Sequence, residues 1–463
     1  MRPTLATTLL LAALTACDAI GEAHLFQLTG PPKPPLEELR VAWTYERPDR
    51  YVHYTGLADE QGNLYWLECN DCRSYSWREW CSESELTETP DSEDTYDPPQ
   101  QLKCELVSAL PSGLERWRVP TDLAFIRDVA LGPDEVVLIG FRHVYVHELA
   151  TGALRWTATV EPRDETSIAR VGGGRLVVRR WQYGVGRFAA FDLADGASLP
   201  APETRSSFSW AWAVDEQDRL LVRTVDRPDE GSLAAHRDGE LLWSIEAEGL
   251  GSPVATAGGN TLLVRPTAIL RNEDGALLRE ASGAPWDQRD PEMPWRRQAP
   301  IEAVATSDYA LLITAGAADD DRLGLRVSRI SFDSGAIDWA TLVAAFDGGS
   351  PAISSPLLTD GGAVLFSWSA KEADADHREN RLVLVDGDGT FRVSRKLPGP
   401  GHWSGGAVLH EGLWIAAYEE WRLGAAPRIA ITAWEVEGLD LAGAGWVSGG
   451  GSPRRNRQAL PAR

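Results

Sequence analysis

The sequence predicts an all-β fold, one closed ring of repeated four-stranded antiparallel units. Three observations carry this. An eleven-residue phrase returns along the chain, as "ATGALRWTATV" at 150–160, "RDGELLWSIEA" at 237–247 and "DSGAIDWATLV" at 333–343. Alternating stretches rich in Val, Leu and aromatics precede the copies, as in "VVLIGFRHVYVHEL" at 136–149. Long helical periodicity with caps is missing throughout. Short alternating runs broken by Gly, Asp or Pro turns read as antiparallel strands.

The chain opens "MRPTLATTLLLAALTAC". A charged start, an apolar centre and small residues at the end describe a signal peptide over 1–16. The centre is shorter than the roughly 20 residues that span a bilayer. Leu14-Thr15-Ala16-Cys17 resembles the lipobox of bacterial lipoproteins, which implies lipidation of Cys17 and a membrane anchor facing the periplasm. Which membrane holds it stays open. Residues 17–40 follow as a tether. Their "PPKPP" favours extended polyproline II, a semi-rigid spacer.

Residues 39–47, "LRVAWTYER", carry a strand with Trp43 but no turn before it. This strand is expected as the outer strand of the last unit, closing the ring against the C-terminal strands and removing edges that would otherwise aggregate. The acidic stretch 68–104 then interrupts the first unit. Its four cysteines, Cys69, Cys72, Cys81 and Cys104, allow a zinc site or two disulfides. An exported chain favours disulfides. "NLYWLEC" and "KCELVSAL" should pair, setting Cys69 opposite Cys104, with Cys72–Cys81 stapling the tip.

The Gly-x-x-x-Trp core of the phrase stands at Gly113–Trp117, Gly152–Trp156, Gly239–Trp243 and Gly335–Trp339. Degenerate copies follow Gly196, Gly275 and Gly389. Glycine suits the turn between the third and fourth strands because it takes positive φ cheaply. The Trp falls in the outer strand, where a flat ring fills the gap between neighbours. Trp43, Trp117, Trp156, Trp243 and Trp339 are therefore expected as packing wedges. One unit cannot cover its own apolar faces, so units of about 40 residues must stack radially as the blades of a β-propeller over 41–440. "IAITAWEVEG" at 429–438 begins an eighth blade, with seven the alternative count. Residues 441–463 form a basic tail.

The phrase loosely follows A-x-D-x-x-T-G-x-x-x-W, so the chain resembles propellers built from pyrroloquinoline-quinone-type repeats. Among them, the lipid-anchored members resemble the propeller lipoproteins of the outer-membrane β-barrel assembly machinery, which are typically eight-bladed. The resemblance implies a protein-interaction scaffold of the cell envelope with envelope proteins as partners. The quinone enzymes of the superfamily carry adjacent cysteines over the cofactor and a calcium site beside a catalytic Asp. No Cys-Cys pair occurs here, so no quinone residues carry over, and no cofactor is expected.

Other chemistry finds little support. A formal net charge of −23 opposes nucleic acid as a partner. "YGVGRFAA" at 183–190 matches G-x-G-x-x-A but lies between strands, where a dinucleotide site needs a helix. His143 and His147 share one strand face, and two ligands alone do not make a metal site. "ADDDR" at 318–322 and "DGDG" at 386–389 read as solvated turns. Trp286 and Trp295, in the Pro-rich stretch 283–300, are candidate partner contacts, because loop aromatics anchor interfaces. The reading is a non-enzymatic envelope scaffold. The alternative is a quinone- or metal-dependent periplasmic enzyme of dehydrogenase type.

Overall fold

The computed structural model describes most of residues 39–442. Residues 1–38 and 443–463, the stretches 70–103, 202–211 and 281–298, and several shorter connections lie outside the described residues. What is described is all β, in eight sheets. Seven blades run in chain order through residues 51–121, 126–159, 165–199, 212–246, 252–280, 299–346 and 352–393. The eighth takes three strands from 402–435 and its outer strand from Val41–Glu46, which pairs antiparallel with Arg428–Glu435. The ring is closed by the N-terminal strand, and the count is eight.

Among the described residues there is no single core. Buried apolar residues fall into clusters that straddle the seams between blades. Val52, Leu64 and Trp66 meet Ile415 and Ile431 across the seam of blades eight and one. Leu357, Leu365 and Leu384 meet Leu409 and Trp414 between seven and eight. Among the described residues, the three indoles that are almost wholly buried, Trp66, Trp414 and Trp434, sit on second and third strands. Tryptophan packing therefore extends beyond the repeated phrase. The described part of the seam between blades three and four is built on Phe188, Val214, Leu220 and Val222.

The phrase owes its spacing to a bulge. In six outer strands one residue is inserted just before the wedge position: Ala42, Arg116, Arg155, Leu242, Leu278 and Asp338. A bulge sharpens the local twist and re-aims the next side chain. The ring of the wedge then lands on the turn glycine of the following blade. A Cβ built on Gly152 would lie 2.8 Å from the Trp117 ring, and one on Gly196 2.7 Å from Trp156. Gly275 faces Trp243 and Gly389 faces Trp339 in the same way, while Trp43 of the closing strand covers Gly113. Where the third blade has Pro200 in place of Trp, Gly239 meets that proline. The glycine is thus required twice, for φ (+75° at Gly152) and for the bare face the ring lies on.

Wedge indoles also tie the seams through hydrogen bonds. Nε1 donates to Pro111 O from Trp43 (2.8 Å), to Leu193 O from Trp156 (2.9 Å), to Asn272 O from Trp243 (2.9 Å) and to Gly387 O from Trp339 (3.1 Å). Trp117 instead lies 5.9 Å from the Tyr65 ring, and its buried Nε1 has no partner among the described residues.

Within "YGVGRFAA", residues 185–190 lie in a strand paired antiparallel with Arg175–Gln182, with Gln182 opposite Val185, while 183–184 lie outside the described residues. At the C-terminus the chain stays packed slightly past the predicted boundary at 440. Leu441 bridges Thr359, and Ala442 N donates to Leu358 O, so the first residues assigned to the tail rest on blade seven.

Candidate functional site

Alternation of four strands sorts every connection to one of two faces of the ring. Turns between first and second strands, and between third and outer strands, share one face and are tight. Connections between second and third strands, and from each outer strand to the next blade, share the other. Strand Leu64–Cys69 ends and strand Cys104–Ala109 begins on this second, loop face. The outer strand of blade five, Leu277–Glu280, ends and the first strand of blade six, Ala299–Ala305, begins on that same face. The chain enters the ring at Val41 and leaves it near Leu441 on the opposite, turn face.

The loop-face end of blade one holds a buried ionic anchor. Strand Leu64–Cys69 is buried throughout, and Glu68 follows Leu64 and Trp66 on the face packed against blade eight. Its carboxylate has no solvent exposure. It accepts from Trp66 Nε1 at 2.9 Å, from Arg118 Nη1 at 2.7 Å, from the Tyr45 hydroxyl and, more distantly, from Arg47 Nε at 3.5 Å. Arg118 also pairs with Glu105 at 3.0 Å and Glu115 at 2.8 Å. Tyr45 and Arg47 come from the closing strand and its continuation, Arg118 from the outer strand of blade one. One carboxylate therefore joins the two ends of the ring.

Burial pushes the Glu68 carboxyl up, but hydrogen bonds from Arg118, Tyr45 and Trp66 outweigh it and hold the group below the usual carboxylate range. Burial, then the Glu68 hydrogen bond, pushes the Tyr45 phenol up to about 12. Arg118 loses solvation, yet its bonds to Glu68, Glu115 and Tyr45 leave its pKa raised. All three stay locked in their charge states at neutral pH, which suits an anchor and not a proton donor.

Directly beside Glu68, Cys69 and Cys104 face each other across the strand pair with a Cα separation of 4.1 Å and are joined by a disulfide. Cys72, Cys81, Trp286 and Trp295 lie outside the described residues, as does Cys17. His147 is buried with Nδ1 2.9 Å from Gly152 O, whereas His143 is exposed beside the Tyr145 ring, so the pair does not converge. In "DGDG", Asp388 Oδ1 accepts from the amide and hydroxyl of Thr390, a self-satisfied turn. Among the described residues, no three His, Cys, Asp or Glu side chains are grouped to hold a metal ion.

Sequence reasoning missed the Glu68 anchor, although a signal was present. An acid occupying the core phase of "LYWLEC" announces a buried, partnered charge. It also missed a second repeated phrase, "DEQGN" at 59–63 and "DEQDR" at 215–219. There Asp59 and Asp215 cap the turn between first and second strands by accepting backbone amides, such as Asn63 N and Arg219 N, each at 2.9 Å.

With this geometry in view, comparison with known proteins is informative. A family model described as "Outer membrane protein assembly factor BamB" matches residues 184–386, from the third blade to the seventh. No curated protein matches the chain. Among solved structures, BamB from Moraxella catarrhalis is similar at 11% identity and a TM-score of 0.47, covering 86% of this chain and 98% of that one. The quinohemoprotein alcohol dehydrogenase from Comamonas testosteroni is similar at 11% identity and a TM-score of 0.52, covering 88% and 78%. The WD40 domain of SCAP from fission yeast shows 8% identity and a TM-score of 0.43, covering 86% and 98%. At these identities the likeness is one of fold. The molecule is an eight-bladed β-propeller, and the family match falls on its pyrroloquinoline-quinone-type repeats.

Proposed function

We propose that this chain is a non-enzymatic propeller lipoprotein of the bacterial cell envelope, lipidated at Cys17 and facing the periplasm, where it serves as a protein-interaction scaffold. The observation that carries the reading is the division of the ring into two faces. The chain enters on the turn face, so an anchor at Cys17 would hold that face toward the membrane. The loop face, with the connections 70–103 and 281–298, would then point away from it. Binding residues concentrate on connections positioned by a rigid scaffold, and Trp286 and Trp295 are the aromatic anchors we assign there. The family match to an outer-membrane assembly factor supports the envelope setting.

The test is photo-crosslinking in the native envelope from positions 286 and 295, in the lipidated chain and in Cys17→Ser. The reading expects a defined envelope protein at both positions, with Cys17→Ser releasing the chain from the membrane or leaving the precursor unprocessed. Dye-linked dehydrogenase activity after loading with pyrroloquinoline quinone and Ca²⁺ would overturn it, and unchanged size and fractionation of Cys17→Ser would remove the anchor.

A further inference from the structure

After the last strand, Arg428–Glu435, the chain lays Asp440–Ala442 against the end of Leu357–Leu358 in the first strand of blade seven. Asp360 N donates to Asp440 O and Ala442 N donates to Leu358 O, each at 2.9 Å. These two bonds flank the antiparallel pair of Thr359 and Leu441, as they do around a non-hydrogen-bonded pair in a β-ladder. Side-chain parity agrees. The facing residues Leu358 and Ala442 share the cluster between blades six and seven. Leu441 joins Leu357 in the cluster between seven and eight, while also reaching the first.

The place and direction of this ladder matter. First strands are the innermost of each blade, around the central channel of a propeller. Leu357–Leu358 stands between Ala299–Ala305 of blade six and His402–His410 of blade eight, both of them first strands. It pairs with Val364–Lys371 on one side, so the edge taken by Asp440–Ala442 is the one toward the channel. Among the described residues, no other blade carries a strand on that edge. First strands run from the loop face to the turn face, and an antiparallel neighbour runs back. At Ala442 the chain is therefore heading from the turn face into the ring.

Residues 443–453, "GAGWVSGGGSP", lie outside the described residues, and their composition suits that heading. They carry no charge, which a chain entering a channel would otherwise have to desolvate. Gly443, Ala444 and Gly445 are small enough to lie beside a packed inner strand. We propose that residues 443–447 continue the ladder as a fifth, innermost strand of blade seven and set Trp446 in the central channel as its stopper. At about 3.4 Å per residue, Trp446 stands about 17 Å past Leu441. That is roughly halfway through the ring, since the nine-residue first strand His402–His410 spans about 30 Å. The ladder thins at Pro356, opposite Ala444 in this register, which offers a carbonyl but no N–H. Trp446 so placed closes the channel to a small molecule entering from the turn face, an autoinhibitory contact. This stopper is independent of the scaffold reading, and either can stand without the other.

The register supplies the test. The next non-hydrogen-bonded pair is Leu357 with Gly443, and facing cysteines there lie within disulfide reach. In the full chain, Leu357→Cys/Gly443→Cys should form a disulfide, recovered by mass spectrometry of a non-reduced digest. Thr359→Cys/Leu441→Cys should do the same at the observed pair. Leu357→Cys/Ala444→Cys, whose side chains point to opposite sides, should not. Linkage at 444 as readily as at 443, or at neither while circular dichroism shows the native fold, overturns the proposal. Leu357 is buried, so a second measurement leaves it intact. A maleimide should label Val447→Cys roughly tenfold more slowly in the native chain than in urea. Adding Ala442→Pro, which removes the bond to Leu358 O, should restore the fast rate. Equal native and unfolded rates overturn the proposal, as does protection that survives Ala442→Pro. Protection that disappears in Arg454→Ser/Arg455→Ser/Arg457→Ser also overturns it, because the tail would then be held by charge outside the channel.

Discussion

Gly152→Ala isolates the wedge from the turn that supports it, because Gly174 supplies a matched control. The two glycines have nearly the same backbone, at φ +75° and +74°. An L-residue in that region costs about 1–2 kcal/mol, and loss of unfolded-chain freedom returns about 0.4–1 kcal/mol. Gly174→Ala, whose Cβ meets nothing within 4 Å, should therefore cost about 0.5–1 kcal/mol. At Gly152 the new methyl meets Trp117 Cε3 and Cζ3, each at 2.8 Å, and Val119 Cγ1 at 3.0 Å. A ring held in a packed seam cannot swing clear, and overpacking adds about 1–3 kcal/mol. Gly152→Ala should thus cost about 2–4 kcal/mol in total. Urea unfolding followed by both circular dichroism and tryptophan fluorescence measures it, with coincident curves checking two-state behaviour. Trp117→Ala removes the nearest obstacle and leaves Val119, so Gly152→Ala in that background should cost at least about 1 kcal/mol less than in the unsubstituted chain. Equal costs at 152 and 174, or additive costs with Trp117→Ala, would refute the claim that the phrase exists to seat a ring on the next blade.

Two further outcomes probe the anchor on the loop face. Because the Glu68 pKa is lowered on folding, its stabilisation is complete above the unfolded value near 4.3 and is lost as pH falls through the folded value. Glu68→Gln should destabilise at pH 7 toward the lower end of about 3–5 kcal/mol, since Arg118 keeps Glu105 and Glu115, and the gap to the unsubstituted chain should narrow below pH 4; a constant gap across that range would show that ionisation of Glu68 contributes nothing. Mass spectrometry of a non-reduced digest should recover Cys69 linked to Cys104. Converting both to Ser should cost at most about 4 kcal/mol, the chain-entropy value for a 35-residue separation. A Cys69–Cys72 link, or four free thiols with bound zinc, would contradict the pairing.

What the sequence by itself determined is what repeats or follows strand parity. Period-two alternation and the Gly-x-x-x-Trp phrase specify blades, and a wedge strand at Trp43 without its own turn has no place except at the closure. Strand parity also puts Cys69 opposite Cys104, because the flanking strands can pair in only one apolar register. The tertiary structure alone decided which groups meet across seams. Tyr45, Glu68 and Arg118 are separated by 23 and 50 residues along the chain, and only ring closure brings them together. The bulge before each wedge is equally silent in the sequence, since Arg, Leu, Ala and Asp all occupy it. A bulge is a property of two strands in register, and no residue type on one strand encodes it. The same holds for Leu242, which reads as one more apolar residue in a strand and is exposed as the residue inserted at the bulge before Trp243.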